Sequence, residues 1–491
     1  MGIREEQRYP LLLSVTEEED GPQQLPCQQC NGIYTLVQET WLESIKIWEI
    51  AGPSIFSRLA MFSMTVITQA FAGHLSDINL AAISIATTVI IAVSFGFLLG
   101  MASALETLCG QAYGAKQYHI LGLYMQRSWI VLFLCSILLL PMFLFATPIL
   151  KLIGQPEEVA EQTGLVAIWL IPFHFSFPFQ FTLQRFLQSQ LQTGVIALVS
   201  GGALLIHVFV SWVFVYKLRV GIVGTAITLD FSWWVSVLGM FVYCVCGGCP
   251  VSWTGFSTQA FVGLWPFFKL SAASGIMLLF ENLYYRVLII ISGYLQETEV
   301  AVDALSICIS IYAWESMIPL GFLAATGVRV ANELGAGNAK GAKIATTVSI
   351  LTSLVIGLFF FLIIMAFSEQ LAMLFTSSSS VIAMVNELAV LLAFTILLNC
   401  IQPVLSGVAV GCGWQALVAF INIGSYYIVG VPLGVCLGWL LHFGFTQGIW
   451  AGLIIGTVVQ TLILTIVTMK CEWEKEAEKA RLHITNGATF S

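Results

Sequence analysis

Twelve long apolar runs, separated by short polar connections, fill the chain between about residues 45 and 470. They fall near 45–72, 80–106, 120–147, 159–183, 192–216, 222–246, 263–293, 299–326, 342–367, 382–408, 414–440 and 446–469. Each reaches the roughly 20 apolar residues that cross a bilayer core. Within a run the apolar positions are continuous rather than alternating. Lipid admits only helices or closed barrels, and a barrel strand alternates, so the pattern predicts twelve membrane-spanning helices.

The polar punctuation repeats. Gly100 to Ala115, GMASALETLCGQAYGA, overlies Gly321 to Ala336, GFLAATGVRVANELGA. Gly73 falls on Gly293, Ala81 on Ala301, Pro178 on Pro403, Gln190 on Gln415, and Gly221-Ile222 on Gly448-Ile449. The offset creeps from 220 to 227, as small loop insertions would make it. Six spans are therefore doubled, which predicts an all-α membrane protein of two pseudo-symmetric six-helix lobes around a central cleft. We divide the chain into a polar tail (1–44), an N-lobe (45–246), a linker (247–262), a C-lobe (263–470) and a charged tail (471–491). The linker, GGCPVSWTGFSTQAFV, is rich in Gly, Ser and Thr and carries no basic residue. The matched prolines predict a bend at one level of both lobes.

Composition agrees: 58% of residues are hydrophobic and 9% charged, against about 25% charged in soluble domains. With both termini in the cytosol, 14 of the 19 Lys and Arg residues fall on the cytosolic side. Three fall opposite, and Arg58 and Arg286 remain within spans. Basic asymmetry sets orientation, so both ends are expected inside. The first 44 residues lack a short apolar core with a cleavage site, so no signal peptide is read there. Trp41, Ile45 and Trp48 share a face and suggest an interfacial helix leading into the first span. Residues 471–491 suggest a helix outside the bilayer. Cys27-x-x-Cys30 and Cys246-x-x-Cys249 lack a second ligand pair of zinc-site spacing, so free thiols are expected and no metal.

No Walker loop and no nucleophile motif occurs, which excludes direct use of ATP and points away from an enzyme. The chemistry left is that of ionisable groups held within spans, which are costly and by default functional. These are Arg58, Glu106, Asp230, Glu281, Arg286, Asp303 and Glu315. Four of them belong to spans seven and eight, so the second lobe is expected to hold the charged interior and the first to be nearly neutral. Glu281 is the leading candidate, with Tyr284 and Tyr285 three and four residues on, along its own face. Each pH unit across a membrane supplies about 1.4 kcal/mol per proton, enough for several-fold accumulation of a solute. Tyr284 and Tyr285 are expected to stack a substrate ring. Arg286 lies about 140° around the helix from Glu281. It is expected to pair with Asp303 or Glu315, or else to draw an anion into the pore. Glu106 and Glu333 are read as organisers of helix ends and inter-lobe contacts.

Several stretches together resemble the multidrug and toxic compound extrusion (MATE) family, and its plant detoxification branch in particular. They are WEIAGPSIF (48–56), GMASALETLCGQAYGAKQY (100–118), LQRFLQSQ (183–190), SWTGFS (252–257), VRVANELGAGN (328–338) and QPVLSGVAVGCGWQ (402–415). FENLYYRVLIIISG, VDALSIC and ILLNCIQPVLSG look most like the subgroup of vacuolar flavonoid transporters. The resemblance implies proton- or sodium-coupled export by alternating access, with an essential acid in span seven, here Glu281. Arg286 and Asn399 stand where many relatives carry a second acid.

The expected cleft set is Glu281, Asn282, Tyr284, Tyr285, Arg286, Asp303, Asn399, Gln402 and Gln69, with Glu106, Gln111, Glu333, Pro178 and Pro403 as structural motif residues. The expected activity is exchange of an organic metabolite, foremost a flavonoid or other phenolic glycoside, for protons. The same fold acting as a chloride or organic-acid conductor is the alternative. No cofactor and no nucleic-acid partner are expected, and a monomer in the vacuolar membrane is favoured over one in the plasma membrane.

Overall fold

The structure, a computed structural model, describes the backbone of residues 28–294, 299–440 and 445–488, and side chains over 37–284, 300–438 and 447–485. Residues 1–42 form one unit and residues 43–491 another, and the architecture is that of the second. Among the described residues every regular element is helical.

The first half comprises α1 (Gln28–Gly73), α2 (Asp77–Gly114), α3 (Tyr118–Leu144), α4 (Glu157–Trp169 and Ile171–Ser189), α5 (Thr193–Lys217) and α6 (Ile222–Gly248). The second half comprises α7 (Leu264–Tyr294), α8 (Glu299–Glu315 and Met317–Gly335), α9 (Ala339–Met373), α10 (Ser379–Cys412), α11 (Gln415–Gly438) and α12 (Phe445–Met469). A final helix, α13 (Trp473–Ala488), follows. Eleven described helices are long and apolar enough to cross a bilayer, twelve when the two parts of α4 count as one span. The fold is thus the twelve-helix, two-lobed membrane architecture that the doubled pattern predicts.

The sharpest described bend falls at a proline outside the matched pair. Helix α4 turns by 48° between Trp169 and Ile171, just ahead of Pro172 and not at Pro178. A proline at 172 has no N–H for the Ile168 carbonyl and its ring crowds that group, so the helix must yield there. Asp230 of α6 accepts a hydrogen bond from the Phe173 N–H at the restarted end. Pro178 and Pro403 both lie inside segments that run on without a break. Helix α8 is interrupted at Ser316, three residues before Pro319, which leaves the Glu315 carbonyl without its usual donor.

Lipid gives helices little reason to associate by apolarity, so shape and internal hydrogen bonds carry the packing. Within the C-lobe, Gly430, Gly434 and Gly438 of α11 face Gly456, Gly452 and Gly448 of α12, at spacings where added Cβ atoms would strike the opposing backbone. Within the N-lobe, Phe95, Phe173, Phe177, Phe181 and Trp233 form an edge-to-face aromatic core. Both intraspan histidines are held there: His174 Nε2 lies 2.9 Å from the Ser136 carbonyl, and His207 joins Thr68 of α1 to Ser232 of α6.

The repeat is visible in the contacts between lobes. Gly100 approaches the Ser274 and Gly275 backbone of α7, while its mate Gly321 packs on Ile55 of α1. Gly114 approaches the backbone of Asn332, and its mate Gly335 that of Gln111. Gly110 meets Ala331, 221 positions later and its own equivalent in the repeat. Residues 107–114 and 328–335 thus lie against the pseudo-twofold axis, where only glycine lets the two backbones meet.

That end of the molecule is firmly closed. Thr107 donates to the Val410 carbonyl at 2.5 Å and accepts from Gln415 at 2.8 Å, and Gln111 donates to the Gly411 carbonyl at 3.1 Å. Arg329 of α8 grips Glu43 of α1 through two hydrogen bonds of 2.7 and 3.0 Å, with Glu333 on its other side at 2.5 Å. Helix α13 lays Ala477, Ala480 and Ile484 inward, and Glu476 accepts from the Trp414 indole. The 247–262 connection is stitched to the N-lobe: Ser252 donates to Gln190 at 2.5 Å, and Gln126 engages both Gly255 and Ser257.

Candidate functional site

One turn of α10 organises the polar interior of the C-lobe. Asn399, Cys400 and Gln402 are buried on it, and they face carboxyl groups from two different helices. Glu281 of α7 is directed at Gln402, while its Oε2 atom is buried with no hydrogen-bond partner. Glu315, at the end of the first segment of α8, accepts from Asn399 Nδ2 at 3.1 Å and from the Cys400 thiol at 3.2 Å. Tyr312, one turn earlier, donates to Asn399 Oδ1 at 3.2 Å. The amide of Asn399 therefore spans a hydroxyl and a carboxyl and is satisfied at both ends.

Beside this group lies a cavity of about 90 Å³ lined by Leu305, Cys308, Tyr312, Thr395, Trp450 and Thr457, among others. Its wall is apolar apart from a few hydroxyls and the Trp450 indole, which donates to Thr395 at 2.9 Å. Apolar lining with sparse polar groups is the usual make-up of a small-molecule site. Among the described residues no group of three or more His, Cys, Asp or Glu could hold a metal ion.

Of the residues expected to share a cleft, the structure brings Glu281, Asn399 and Gln402 together. Tyr284 is a correction. It is fully buried and stacked flat on Tyr426, with centroids 4.1 Å apart. Its hydroxyl donates to the Leu453 carbonyl at 3.0 Å, in space left open by Gly430 and Gly456. Both of its roles are taken by the C-lobe core, so it is a packing wedge between α7, α11 and α12 and presents no free face to a solute ring. Asn282 is exposed and donates to the Leu278 carbonyl of its own helix, opposite Gly96 of α2. Gln69 sits in the N-lobe, donating to Thr87 at 3.1 Å, apart from the C-lobe group. Asp303 is exposed. The side chains of Tyr285 and Arg286 lie outside the described residues, as do those of Cys27 and Cys30. The pairing expected of Arg286 is therefore not described.

The nearly neutral N-lobe is a second correction. Glu106 and Arg185 are both buried and form an ion pair of 2.5 Å, and Arg58 lies close enough to feel both charges. Arg185 lies just beyond the expected end of span four at residue 183 and was counted with the basic residues of the cytosolic side. Helix α4 continues as far as Ser189 and buries it. The Glu106 carboxylate also lies against Gly327 of α8, where a Cβ would strike it, so Glu106 does stand at the lobe boundary. Gln111 and Glu333 hold the closed end as described above.

Sequence reasoning passed over Glu315 and Cys400 as site residues. Glu315 was visible as an intraspan acid, but nothing in its own helix says that it meets Asn399.

Similarity to known proteins agrees with this architecture. Residues 53–213 and 273–436 match the MatE family, and the two stretches correspond to the two lobes. The chain is 58% identical over 480 residues to Protein DETOXIFICATION 27 of Arabidopsis thaliana, covering 98% of this chain and 96% of that one. It is 54% identical over 485 residues to Protein DETOXIFICATION 28 of the same plant, again covering 98% and 96%. Among solved structures it is similar to the eukaryotic MATE transporter AtDTX14, with a TM-score of 0.87 at 33% identity, covering 91% of this chain and all of that one. The Vibrio cholerae MATE transporter VcmN, in a mutant form, shares the fold with a TM-score of 0.79 at 18% identity, covering 89% and 100%.

Proposed function

The chain belongs to the MATE family of membrane transporters, and from that premise we propose that it exports an organic metabolite from the cytosol in exchange for protons, with Glu281 as the proton carrier. The observation that carries this reading is the Glu281 carboxyl itself. It is an acid within a membrane span, directed at Gln402, with one buried oxygen unpartnered. Among the described residues no basic side chain pairs with it, so it gains or loses a proton at the cost of one hydrogen bond. A group of this kind can be loaded from one side of the membrane and discharged toward the other.

The lobes supply the alternation. They meet closely at the end bearing Glu43–Arg329 and Thr107–Gln415, which by the excess of basic residues is the cytosolic end. The site then opens away from the cytosol, toward the vacuolar lumen if that is the membrane used. Protonation that changes what Glu281 hydrogen-bonds favours one lobe arrangement over the other only by its difference in free energy between the two. The apolar cavity lining suits the aromatic part of a cargo rather than its sugar; the cargo proposed is a phenolic glycoside or a similar metabolite, and the working unit a monomer.

The deciding experiment is uptake into proteoliposomes under an imposed pH difference, offering quercetin 3-O-glucoside in one set and chloride in another. We expect glucoside accumulation that collapses with the pH gradient and disappears in Glu281→Gln, while the mutant stays folded and monodisperse. Wild-type proton-driven flux in that mutant would remove Glu281 from the coupling role. Chloride current that follows the anion gradient without proton movement would replace the antiporter reading by a conductor of the same fold.

A further inference from the structure

Glu281 is one of two carboxyls set against the same turn of α10. The second, Glu315, is 6% exposed, and no described basic side chain forms an ion pair with it. A permanently ionised buried carboxylate without a cation would be costly. Its two partners, the Asn399 amide and the Cys400 thiol, donate hydrogen bonds and supply no charge. It also stands one turn ahead of Pro319, which has no N–H to offer the Glu315 carbonyl, so that carbonyl loses its usual helical donor. Here Tyr312, which bonds Asn399, also lines the 90 Å³ cavity.

On these grounds we propose that Glu315 is a second proton-carrying carboxyl, working with Glu281 across one turn of α10. The inference rests on the proton-exchange reading of Glu281 and extends it from one acid to two. Asn399 and Gln402 are three residues apart, so they lie on one face about 4.5 Å apart along the helix axis. Glu315 reads the upper amide and Glu281 the lower. Each acid takes up one proton as a neutral carboxyl and releases it as a carboxylate, with no other bond made or broken. Asn399 accommodates both states, because a neutral Glu315 needs an acceptor and a charged one a donor, and an amide offers either on rotation.

The groups facing Glu315 are few. On its own helix, Tyr312 contributes a hydroxyl turned to Asn399, and Asp303, three turns earlier, is exposed. From α10 comes the Cys400 thiol, whose backbone carbonyl is held by Ser353 of α9. Helix α1 touches this level through Phe62 on Trp314, and its Arg58 belongs to the Glu106–Arg185 group. Helix α12 offers Trp450 and Thr457, both uncharged. Helix α7 contributes Glu281 by way of Gln402, and the Arg286 side chain beyond it is not described.

The test uses the purified full-length protein in liposomes loaded with a pH-sensitive dye and quercetin 3-O-glucoside as the probe. The glucoside gradient that just balances an imposed pH difference gives the number of protons moved per glucoside. We expect two for the wild type and one for Glu315→Gln, a halving. We expect a return to two in Glu315→Gln combined with Asn399→Asp, which moves the carboxyl to the other end of the same hydrogen bond. That double variant also serves where Glu315→Gln alone does not fold. An unchanged ratio in Glu315→Gln, or no recovery in the double variant, overturns the proposal. If the wild type moves no glucoside at all, the antiporter reading fails, and infrared titration of the protein alone still decides this one. The neutral-carboxyl band that grows as pH falls must lose one carboxyl in Glu315→Gln, and an unaltered band overturns the assignment.

Discussion

The buried group in the N-lobe gives a sharp prediction about which charge can be removed. Glu106 pairs with Arg185 at 2.5 Å, and Arg58 is near enough to feel both charges. Glu106 is 0% exposed and Arg185 2%. Removing one member of a buried ion pair costs about 3–5 kcal/mol, because the remaining charge keeps its desolvation and loses its partner. The two one-sided changes differ here. Arg185→Gln leaves Glu106 with Arg58, one charge of each sign, so its cost should fall at or below the lower end of that range. Glu106→Gln leaves two positive groups close together with no counter-charge. The repulsion between them adds to the desolvation of both, so its cost should sit at the upper end of that range or beyond. Thermal unfolding of the purified variants, followed by size-exclusion fluorescence, reads the order directly. Glu106→Gln should melt lowest, Arg185→Gln should lie between, and Glu106→Gln with Arg185→Met should recover part of the loss by leaving a single arginine. If Arg185→Gln proved the less stable single variant, or if Glu106→Gln melted with the wild type, the group would not be the buried charge cluster argued here.

Other consequences are readily checked. Tyr284→Phe should lower stability by about 0.5–1.5 kcal/mol, the worth of one hydrogen bond, and leave the affinity for a phenolic glucoside unchanged; a large rise in KM would return Tyr284 to the cleft. Gly452→Val should prevent α11 and α12 from closing, giving a protein that inserts but aggregates on extraction, and a monodisperse variant would contradict the glycine contact. Glu43→Gln weakens the hold of Arg329 on α1 and leaves it with Glu333 alone, so spin labels at residues 116 and 340 should show a new, longer-distance population by double electron–electron resonance. An unchanged distribution would mean that the Thr107 and Gln415 contacts alone hold the lobes.

The chain by itself determined the number of spans and the twofold plan. Lipid cannot satisfy unpaired backbone groups, so each apolar run of sufficient length must become a helix. The repeat registers, Gly100 with Gly321 and Gly114 with Gly335, marked the positions where helices meet near the axis before any contact was known. A helical period placed Glu281 and Tyr284 on one face, but it could not say what each would meet: Glu281 is directed at Gln402 of α10, whereas Tyr284 stacks on Tyr426 of α11. Which neighbour that face meets is decided by lateral packing. Gly430 and Gly456 make a slot into which the Tyr284 hydroxyl fits, and both glycines lie far along the sequence from it. Glu315 gained its partners in the same manner, from a turn of α10 that its own helix does not foretell. Arg185, two residues past the expected end of span four, was counted with the cytosolic-side cations, but α4 runs on to Ser189 and buries it against Glu106. Hydropathy is a property of a segment taken alone, whereas a buried polar contact belongs to two segments at once. Its energy depends on distances of a few ångströms between groups that the chain keeps far apart.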